Sequence, residues 1–303
     1  MRRWLPILSA GLLGMAFSVW MNASGMPNPV LYARVSVSVL IFLLGVCLST
    51  VAGAALLLYE WVERRQANQA LTAAEERRRF LQRLDHELKN PITAILAGLA
   101  NLSAADSTPS QGEVIASISS QVQRLRRLVA DLRKLSDLET RPLECGPVEM
   151  DVLMEEAYAL IRELPAAEER RMVLTIPRAP WPLPAVHGDH DLLFLAVYNL
   201  LDNALKFSGQ GDTVELRAYE DGALVVVEVA DTGPGIPDMD RPHVWEELYR
   251  GQTARRIEGS GLGLALVRAI AIRHEGSVDL RSREGQGTVF SLRIPVGEAG
   301  NPS

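Results

Sequence analysis

Residues 80–92 read Phe-Leu-Gln-Arg-Leu-Asp-His-Glu-Leu-Lys-Asn-Pro-Ile, within a longer stretch, Glu63–Leu102, that the sequence predicts to be helical. Spacings of three and four residues place side chains on one face of an α-helix. Pro91 removes the hydrogen bond to the Glu87 carbonyl, which predicts a bend at that point. Apolar residues recur at intervals of 4, 4, 3, 4 and 3, and they predict one buried face: Leu84, Leu88, Ile92, Ile95, Leu99 and Leu102.

A second amphipathic helix follows a polar segment, Ala104–Gly112, that breaks the first pattern. Its apolar residues are spaced 4, 3, 4 and 3 apart: Ile118, Val122, Leu125, Val129 and Leu132. Two helices joined by a short loop form an antiparallel hairpin. Because each helix would bury only one face, we expect a homodimer in which two hairpins complete a four-helix bundle.

His86 lies away from the apolar face of the first helix. At about 100° per residue it is roughly 200° from both Leu84 and Leu88, so it is expected to be exposed rather than part of the core. Asp85 and Glu87 flank it. Acidic neighbours orient an imidazole and make it more basic, as a nucleophilic nitrogen requires. On the residues alone, an ordinary surface histidine is the alternative.

The C-terminal part alternates short helices and strands around a loop-rich region, Asp231–Gly261. The predicted helices are Met150–Leu164, Asp189–Phe207 and Leu262–His274. The predicted strands are Met172–Pro177, Thr213–Tyr219, Ala223–Ala230, Ser277–Ser282 and Thr288–Pro295. Mixed strand pairing with helices on one face predicts an α+β sandwich.

Polar side chains on the helix Asp189–Phe207 indicate a ligand site. Asn199 and Asn203 are four residues apart on one face, and Lys206 follows three residues further on. Amide oxygens can bind Mg²⁺ held jointly with phosphates, and a lysine supplies positive charge for those phosphates. The Walker-type motif is absent from the sequence. Taken alone, the helix could also present a merely solvated polar face.

Three glycine-rich segments lie beside predicted strand and helix ends. Asp231-Thr-Gly233-Pro-Gly235 follows an apolar strand, where the carboxylate can accept a hydrogen bond from the exocyclic amine of adenine. Gly259-Ser-Gly261-Leu-Gly263 enters a helix, whose free backbone amides favour phosphate. Gly285-Gln-Gly287-Thr288 would by itself be an ordinary hairpin turn. Together with the asparagine face, these clusters fall within about ninety residues and predict one nucleotide site.

Residues 80–92 resemble the H-box of two-component sensor histidine kinases, and the four later clusters resemble the N, G1, G2 and G3 boxes of that family. The resemblance covers roughly residues 62–297, and both order and spacing agree. It implies a dimerisation domain that carries a phosphorylated histidine, followed by an ATP-binding domain. His86 would be that histidine, and the phosphoryl group would pass from it to an aspartate of a cytoplasmic response regulator.

The resemblance also implies a role for each remaining site residue. Glu87 would be the general base, and with Asn90 it would position water for dephosphorylating the regulator, so that the kinase is also a phosphatase. Asn203, with Asn199, would hold Mg²⁺. The other contacts to ATP would be made by Lys206 to phosphate, by Asp231 to adenine, and by Gly233, Gly235, Gly259, Gly261, Gly263 and Thr288.

One segment departs from the family pattern. Val244-Trp-Glu-Glu-Leu-Tyr-Arg250 stands where the F-box usually has two phenylalanines. Trp245 and Leu248 keep its apolar character, but the packing of the lid, about Ile236–Gly259, is expected to change.

Two apolar runs near the N-terminus predict membrane helices at about residues 4–21 and 35–59. The second run as a helix is roughly 37 Å long, against a hydrocarbon core of about 30 Å. A cleavable signal peptide is the alternative for the first run, since Arg2 and Arg3 precede it. Only about twenty residues separate the second run from residues 80–92, which leaves no room for the HAMP relay common in the family.

Arginines precede the first run and follow the second, with only Arg34 between them. The positive-inside bias therefore predicts a multi-pass membrane protein with both termini in the cytoplasm. The resemblance implies that this membrane is the bacterial inner or plasma membrane. The connection Asn22–Arg34 is too short to enclose a ligand pocket of roughly 300 Å³. We therefore expect the stimulus to come from lipid or from a membrane-protein partner.

The overall composition excludes several other classes of protein. The chain is 48% hydrophobic and 22% charged, which is unlike a disordered chain. Its net charge is −6 with both signs interspersed, and a nucleic-acid-binding protein would show a basic stripe. Cys47 and Cys145 are too few for a disulfide framework.

Three domains are predicted: a membrane hairpin at residues 1–61, a dimerisation and phosphotransfer hairpin at 62–140, and a catalytic ATP-binding domain at 141–303. Chaperone and topoisomerase-type ATPases share the nucleotide fold, but the membrane pair and the His86 helix count against that class. A non-catalytic membrane scaffold with a degenerate ATP-binding domain is the other alternative, because the F-box is altered.

Overall fold

The computed structural model describes residues 37–104, 108–178, 181–251 and 259–297, together with Trp20, Ser24, Ala254 and Ile257. The chain divides into two compact units between Ala73 and Ala74. The predicted membrane helix at residues 4–21 and the connection that follows it lie outside the described residues, apart from Trp20 and Ser24.

A single helix, α1, runs from Val37 to Ala104. Its segment Leu44–Arg65 is long and apolar enough to cross a membrane, with a mean hydropathy of 1.5, and is the one such span in the described part of the chain. This span overlaps the second predicted run, and the helix continues without a break into the charged residues beyond Tyr59.

The helical hairpin is formed by the second half of α1 and by α2, Thr108–Thr140. The predicted break at Ala104–Gly112 is too long, since α2 already begins at Thr108. Pro109 lies in the first turn of α2, where its missing N–H has no intrahelical partner to lose. α1 also continues as a helix through Pro91, which is buried.

The two hairpin helices divide their apolar side chains between two surfaces. Leu128 is buried in a cluster with loop residues of the C-terminal part, and Leu84, Leu88 and Leu132 pack against that cluster. Others are exposed in the single chain: Ile92, Leu96, Leu99, Val122 and Val129. The hairpin therefore retains an uncovered apolar face, as expected for helices that bury only part of their stripe.

The C-terminal part contains four helices, seven strands and one 3₁₀ turn among the described residues. The helices are α3 (Met150–Arg162), α4 (Pro165–Glu168), α5 (His190–Phe207) and α6 (Gly263–Arg273), and the 3₁₀ turn is Arg241–His243. The strands are β1 (Gly146–Val148), β2 (Arg171–Thr175), β3 (Val186–Gly188), β4 (Thr213–Asp221), β5 (Leu224–Asp231), β6 (Ser277–Arg283) and β7 (Gly287–Pro295).

The main sheet has the strand order β2–β4–β5–β7–β6, in which only β2 and β4 are parallel. Along β5, Val225, Val227 and Val229 face the core that α3, α5 and α6 complete. Glu228 lies on the opposite face, where Arg217 and Arg281 pair with it. This alternation follows from the two-residue period of a strand, and it confirms the predicted α+β sandwich.

A second, two-stranded sheet of β1 and β3 was not predicted from the sequence. Each strand has three residues, which is too short for an alternating pattern to register. Val186 of β3 also bridges to Val296, directly after β7. The small sheet therefore ties the start of the domain to its last strand.

The turn between β6 and β7 supplies a matched test of backbone packing. Gly287 has φ of 110°, and a Cβ there would lie 2.0 Å from the Asp231 carbonyl oxygen, whereas Gly285 has φ of 76° and open space around it. We predict that Gly287→Ala lowers the free energy of unfolding by more than about 2 kcal/mol, and Gly285→Ala by about 1 kcal/mol. Denaturant titration of the detergent-solubilised chain, read by limited proteolysis, measures both. Equal losses would show that β7 does not close against Asp231.

Candidate functional site

Asp231 is the last residue of β5 and is 7% exposed. Its Oδ1 accepts a hydrogen bond from the Gly233 N–H at 2.9 Å. Burial raises the pKa of this carboxyl to about 6, and the charge of Asp212 adds to the rise, while the backbone amides of Gly233 and Thr288 oppose it. A carboxyl perturbed in this way at a cavity wall is typical of a binding site.

Close backbone packing around Asp231 leaves no space for a Cβ atom at positions 233 and 235. A Cβ on Gly235, which has φ of 69°, would lie 2.2 Å from the Arg283 carbonyl oxygen, and one on Gly233 would lie 2.6 Å from the Phe207 carbonyl oxygen. Since the backbone closes this tightly, only a small cavity of about 100 Å³ is left. Its wall includes Asn203, Asp231, Gly235, Leu264 and Thr288.

The polar face of α5 points toward the start of α6. The Asn199 Nδ2 donates to the Leu195 carbonyl at 2.7 Å, and a Cβ placed on Gly263 would lie 3.1 Å from the Asn199 Oδ1. The amide oxygen is therefore directed at the first turn of α6. Lys206, further along the same face, is paired with Asp202.

A second cavity, of about 400 Å³, adjoins the first, and Asn203 lines both. Gly261 has φ of 74° and would bring a Cβ within 3.1 Å of Leu248, whereas a Cβ on Gly259 would meet open space. The fold therefore requires glycine at position 261 but not at position 259. The wall of this cavity carries predicted site residues from three segments: Glu87, Asn199, Asn203, Lys206, Gly259, Gly261 and Gly263.

The structure does not bring His86 into these cavities. His86 and Asn90 are exposed on α1, whereas Glu87 is half-buried and lines the larger cavity. Arg124 of α2 donates to the Glu87 Oε2 at 2.7 Å. Of the three predicted residues on α1, Glu87 alone faces the cavity of its own chain.

Segment 244–250, which departs from the family's F-box pattern, packs the loop region against the helical hairpin on one side and against the main sheet on the other. Leu248 is 3% exposed and packs with Leu128 of the hairpin and with Leu262. Trp245 packs edge-on against Phe290, with ring centroids 5.6 Å apart. The two apolar residues that replace the usual phenylalanines therefore keep one contact to the hairpin and one to the sheet.

Polar contacts between the hairpin and the loop region were missed by the sequence analysis. Arg83 of α1 donates to the Glu247 carbonyl at 3.0 Å, and its guanidinium carbon lies 5.4 Å from the centroid of the Tyr249 ring. The Ser260 hydroxyl donates to the Asp131 Oδ2 at 2.7 Å. The periodicity of one helix does not indicate which distant loop its charged residues meet, so no sequence signal was available for these pairs.

Two family models match most of the unit that begins at Ala74. Residues 76–141 match the family described as the His Kinase A (phospho-acceptor) domain. Residues 188–298 match the family described as histidine kinase-, DNA gyrase B- and HSP90-like ATPases. The second description also includes gyrase and chaperone ATPases, so it is the first match that separates the chain from that class.

Individual relatives agree with the family matches. The chain is 36% identical over 224 residues to the probable sensor histidine kinase TcrY of Mycobacterium tuberculosis, covering 72% of this chain and 46% of TcrY. The chain spans about half the length of the curated relatives it matches. Full-length ShkA in complex with AMPPNP is 30% identical with a TM-score of 0.52, covering 73% of this chain and 46% of ShkA.

A further solved structure shares the fold. ThkA in complex with the response regulator protein TrrA is 24% identical, with a TM-score of 0.60, and the match covers 79% of this chain and 67% of that one. The arrangement of a helical hairpin followed by the sandwich domain is therefore common to both proteins.

The buried carboxyl of Asp231 predicts a stability cost. Its folded pKa of about 6 lies above the ordinary value of 3.8, so the folded state holds more protons between these pH values and stability falls as pH rises through them. We predict that Asp231→Asn raises the free energy of unfolding at pH 8 by up to about 3 kcal/mol and flattens its dependence on pH. Thermal unfolding of the nucleotide-free chain from pH 4 to pH 8 measures this. If Asp231→Asn left the chain no more stable than the parent at pH 8, that result would argue against the burial described.

Proposed function

The chain belongs to the sensor histidine kinases of two-component systems, and from this premise we propose that it transfers the γ-phosphoryl group of ATP to His86 and then to an aspartate of a cytoplasmic response regulator. One observation carries the proposal. Glu87, the neighbour of His86, lines the same cavity as Asn199, Asn203 and the start of α6. A candidate acid–base group is thereby placed beside a candidate phosphate site.

ATP fits the two adjoining cavities in one direction. Adenine would occupy the smaller cavity, with its exocyclic amine donating to Asp231, between Gly235 and Thr288. The turn shaped by Gly233 keeps the carboxylate in place. The phosphates would pass Asn203 into the larger cavity, toward Lys206 and the amides at the start of α6, where Gly259, Gly261 and Gly263 line the wall.

The residues present also fit Mg²⁺. The Asn199 amide nitrogen is occupied by the Leu195 carbonyl, so its Oδ1 is the atom directed toward the phosphate end of the cavity. Asn203 lies one turn further along the same face. Amide oxygens of this kind would hold Mg²⁺ together with phosphate oxygens, and the metal would neutralise charge on the phosphates.

The transfer itself needs a nucleophile and a base. A nitrogen of the His86 imidazole would form a bond to the γ-phosphorus while the bond to the β,γ-bridging oxygen breaks and ADP leaves. Glu87 would accept the proton that the imidazole releases. Because His86 faces away from the cavities of its own chain, it must meet a nucleotide after the hairpin rearranges, or meet that of the partner subunit.

The exposed apolar face of the hairpin supports a homodimer. Ile92, Leu99 and Val122 are about half exposed in the single chain, and a second hairpin would cover them in a four-helix bundle. Asn90, exposed on α1, would orient the water that attacks the phosphorylated regulator, with Glu87 beside it. The kinase would thus also act as the regulator's phosphatase.

The membrane assignment extends the proposal to the N-terminal unit. The apolar span Leu44–Arg65 supports an anchor, with arginines on its cytoplasmic side. We place a membrane hairpin at residues 1–61, the phosphotransfer hairpin at 62–140 and the catalytic domain at 141–303. Both termini would be cytoplasmic, and the stimulus would be a lipid or a membrane protein that contacts the helices.

A non-catalytic scaffold is the less favoured function. That reading depends on the altered F-box, yet Trp245 and Leu248 make close apolar contacts on both sides of the loop region. The glycine conformations around Asp231 also leave a cavity open. A degenerate ATP-binding domain would be expected to lose the apolar contacts of Trp245 and Leu248 and the glycines around Asp231 first.

The nucleophile can be separated from the nucleotide site by two substitutions. His86→Gln should abolish phosphorylation and leave ADP affinity within about twofold, because His86 does not line either cavity. Asn203→Ala should lose both nucleotide binding and phosphorylation. Calorimetry with ADP and radiolabelling with ATP measure the two properties. Wild-type labelling of the Gln variant would move the phosphorylated residue elsewhere.

Asn90 separates the kinase from the phosphatase activity. Asn90→Ala should leave phosphorylation of His86 intact and slow dephosphorylation of the regulator by about tenfold or more, since its amide would orient water rather than the histidine. The decay of phosphorylated regulator, with and without the variant, measures this. If both activities fell together, Asn90 would instead support the helix geometry next to Pro91.

A further inference from the structure

The hairpin contributes part of the wall of the larger cavity. Glu87 of α1 and Arg124 of α2 both line it, although they lie outside the sandwich domain. Among the described residues on this wall, five side chains are cationic and three are carboxylates: Arg124, Arg127, Lys134, Lys206 and Arg250, against Glu87, Asp131 and Asp202. The wall has a net positive charge, which suits a polyanionic ligand.

Arg124 differs from Lys134, Lys206 and Arg250 in what its partner is. Lys134 Nζ lies 3.8 Å from the Oδ1 of Asp131 on its own helix. Lys206 is paired with its helix neighbour Asp202, and the Arg250 Nη2 donates to the Ala254 carbonyl at 2.7 Å, which holds the loop. The partner of Arg124 is Glu87, the residue next to His86, at 2.7 Å. Because Glu87 is the proposed general base, an ion pair to it can affect the phosphoryl transfer. The pairs of Lys206 and Arg250 only stabilise one helix or one loop.

The guanidinium of Arg124 can bind a second anion without releasing the first. Its hydrogen bond to Glu87 comes from Nη2, and a guanidinium has five N–H donors in a rigid fork. The side chain is 34% exposed and the Glu87 side chain 21%, so the pair is only partly screened by water. Planar bidentate recognition of phosphate is the property that distinguishes arginine from lysine.

The position of Arg124 along the site indicates which phosphate it meets. Asp231 lines only the smaller cavity, Asn203 lines both, and Arg124 lines only the larger. With adenine at Asp231, the part of the nucleotide furthest from the base would lie nearest the hairpin. We propose that Arg124 binds the terminal phosphate of ATP and bridges it to Glu87, so that the hairpin itself completes the triphosphate site. This inference deepens the proposed function and rests on it.

The test compares nucleotides that differ only in phosphate number. The full chain in detergent carries His86→Gln throughout, so that bound ATP is not consumed, and calorimetry with Mg²⁺ gives its affinity for ATP, ADP and AMP. Arg124→Ala should weaken ATP binding about tenfold and ADP binding less than about threefold, with AMP unchanged. Arg124→Lys should recover only part of the ATP affinity, because an ammonium cannot bridge two anions in one plane.

Arg126 provides the matched control. It lies two residues away on α2, is exposed and does not line the cavity, so Arg126→Ala should leave all three affinities unchanged. If Arg124→Ala weakened the binding of ATP, ADP and AMP equally, Arg124 would only support the hairpin. If Arg124→Ala left all three affinities unchanged, as expected for Arg126→Ala, the inference would also be overturned.

Asp231→Asn distinguishes this failure from failure of the proposed function. If Asp231→Asn abolishes binding of every adenine nucleotide while Arg124→Ala behaves like the control, the nucleotide site stands and only the role of Arg124 is lost. If the parent chain binds no adenine nucleotide, or if Asp231→Asn binds normally, the proposed function and the inference fail together.

Discussion

The carboxylate of Asp231 must remain at the end of β5 although burial disfavours its charge, and the glycine-rich turns on either side of it are shaped by this requirement. Burial raises the pKa of the group to about 6, so at neutral pH the fold holds an ionised side chain at a cost. The compensation comes from backbone amides rather than from a cation, since Gly233 donates to it directly. Gly235 and Gly287 allow the neighbouring backbone to close around it where any Cβ would clash. A group kept in this state is available for a ligand that donates a hydrogen bond.

The second constraint is the contact between this domain and the hairpin. Leu248 packs on Leu128, and Arg83 donates to the backbone of the same loop, so the loop beside the two cavities is held by the hairpin that carries His86. Glu87 lies on the cavity side of α1 and His86 on the exposed side. This arrangement brings the candidate base to the wall of the larger cavity, while the candidate nucleophile stays on the exposed side of the helix. For phosphoryl transfer from this state, either the hairpin would have to move so that His86 reaches the cavities of its own chain, or His86 would have to meet the nucleotide of a partner subunit.

The sequence predicted those features that depend on local periodicity or on a motif. The amphipathic hairpin, the sandwich and the four clusters around the cavities all followed from spacings of two, three or four residues and from glycine positions. The elements that were missed are short or non-local. The strands β1 and β3 have three residues each, and Arg83, Arg124 and the Ser260–Asp131 pair meet partners that only the tertiary fold brings close. The break before α2 was predicted too long because the whole polar segment Ala104–Gly112 was assigned to it, whereas α2 begins at Thr108 and its first turn tolerates Pro109. The motif also does not indicate which of its glycines the fold requires, since a Cβ on Gly259 would meet open space whereas one on Gly261 would lie 3.1 Å from Leu248.

Transfer of the phosphoryl group of ATP to His86 is the step on which the whole account depends. The most direct measurement is to incubate the full chain with ATP labelled in the γ-phosphate, test the chemical stability of the protein-bound label, and locate it by mass spectrometry under neutral conditions. A phosphohistidine is expected to lose the label in acid and to retain it in base, and the label should map to the peptide that contains residues 80–92. Label that survives acid, or that maps outside this peptide, would contradict the account.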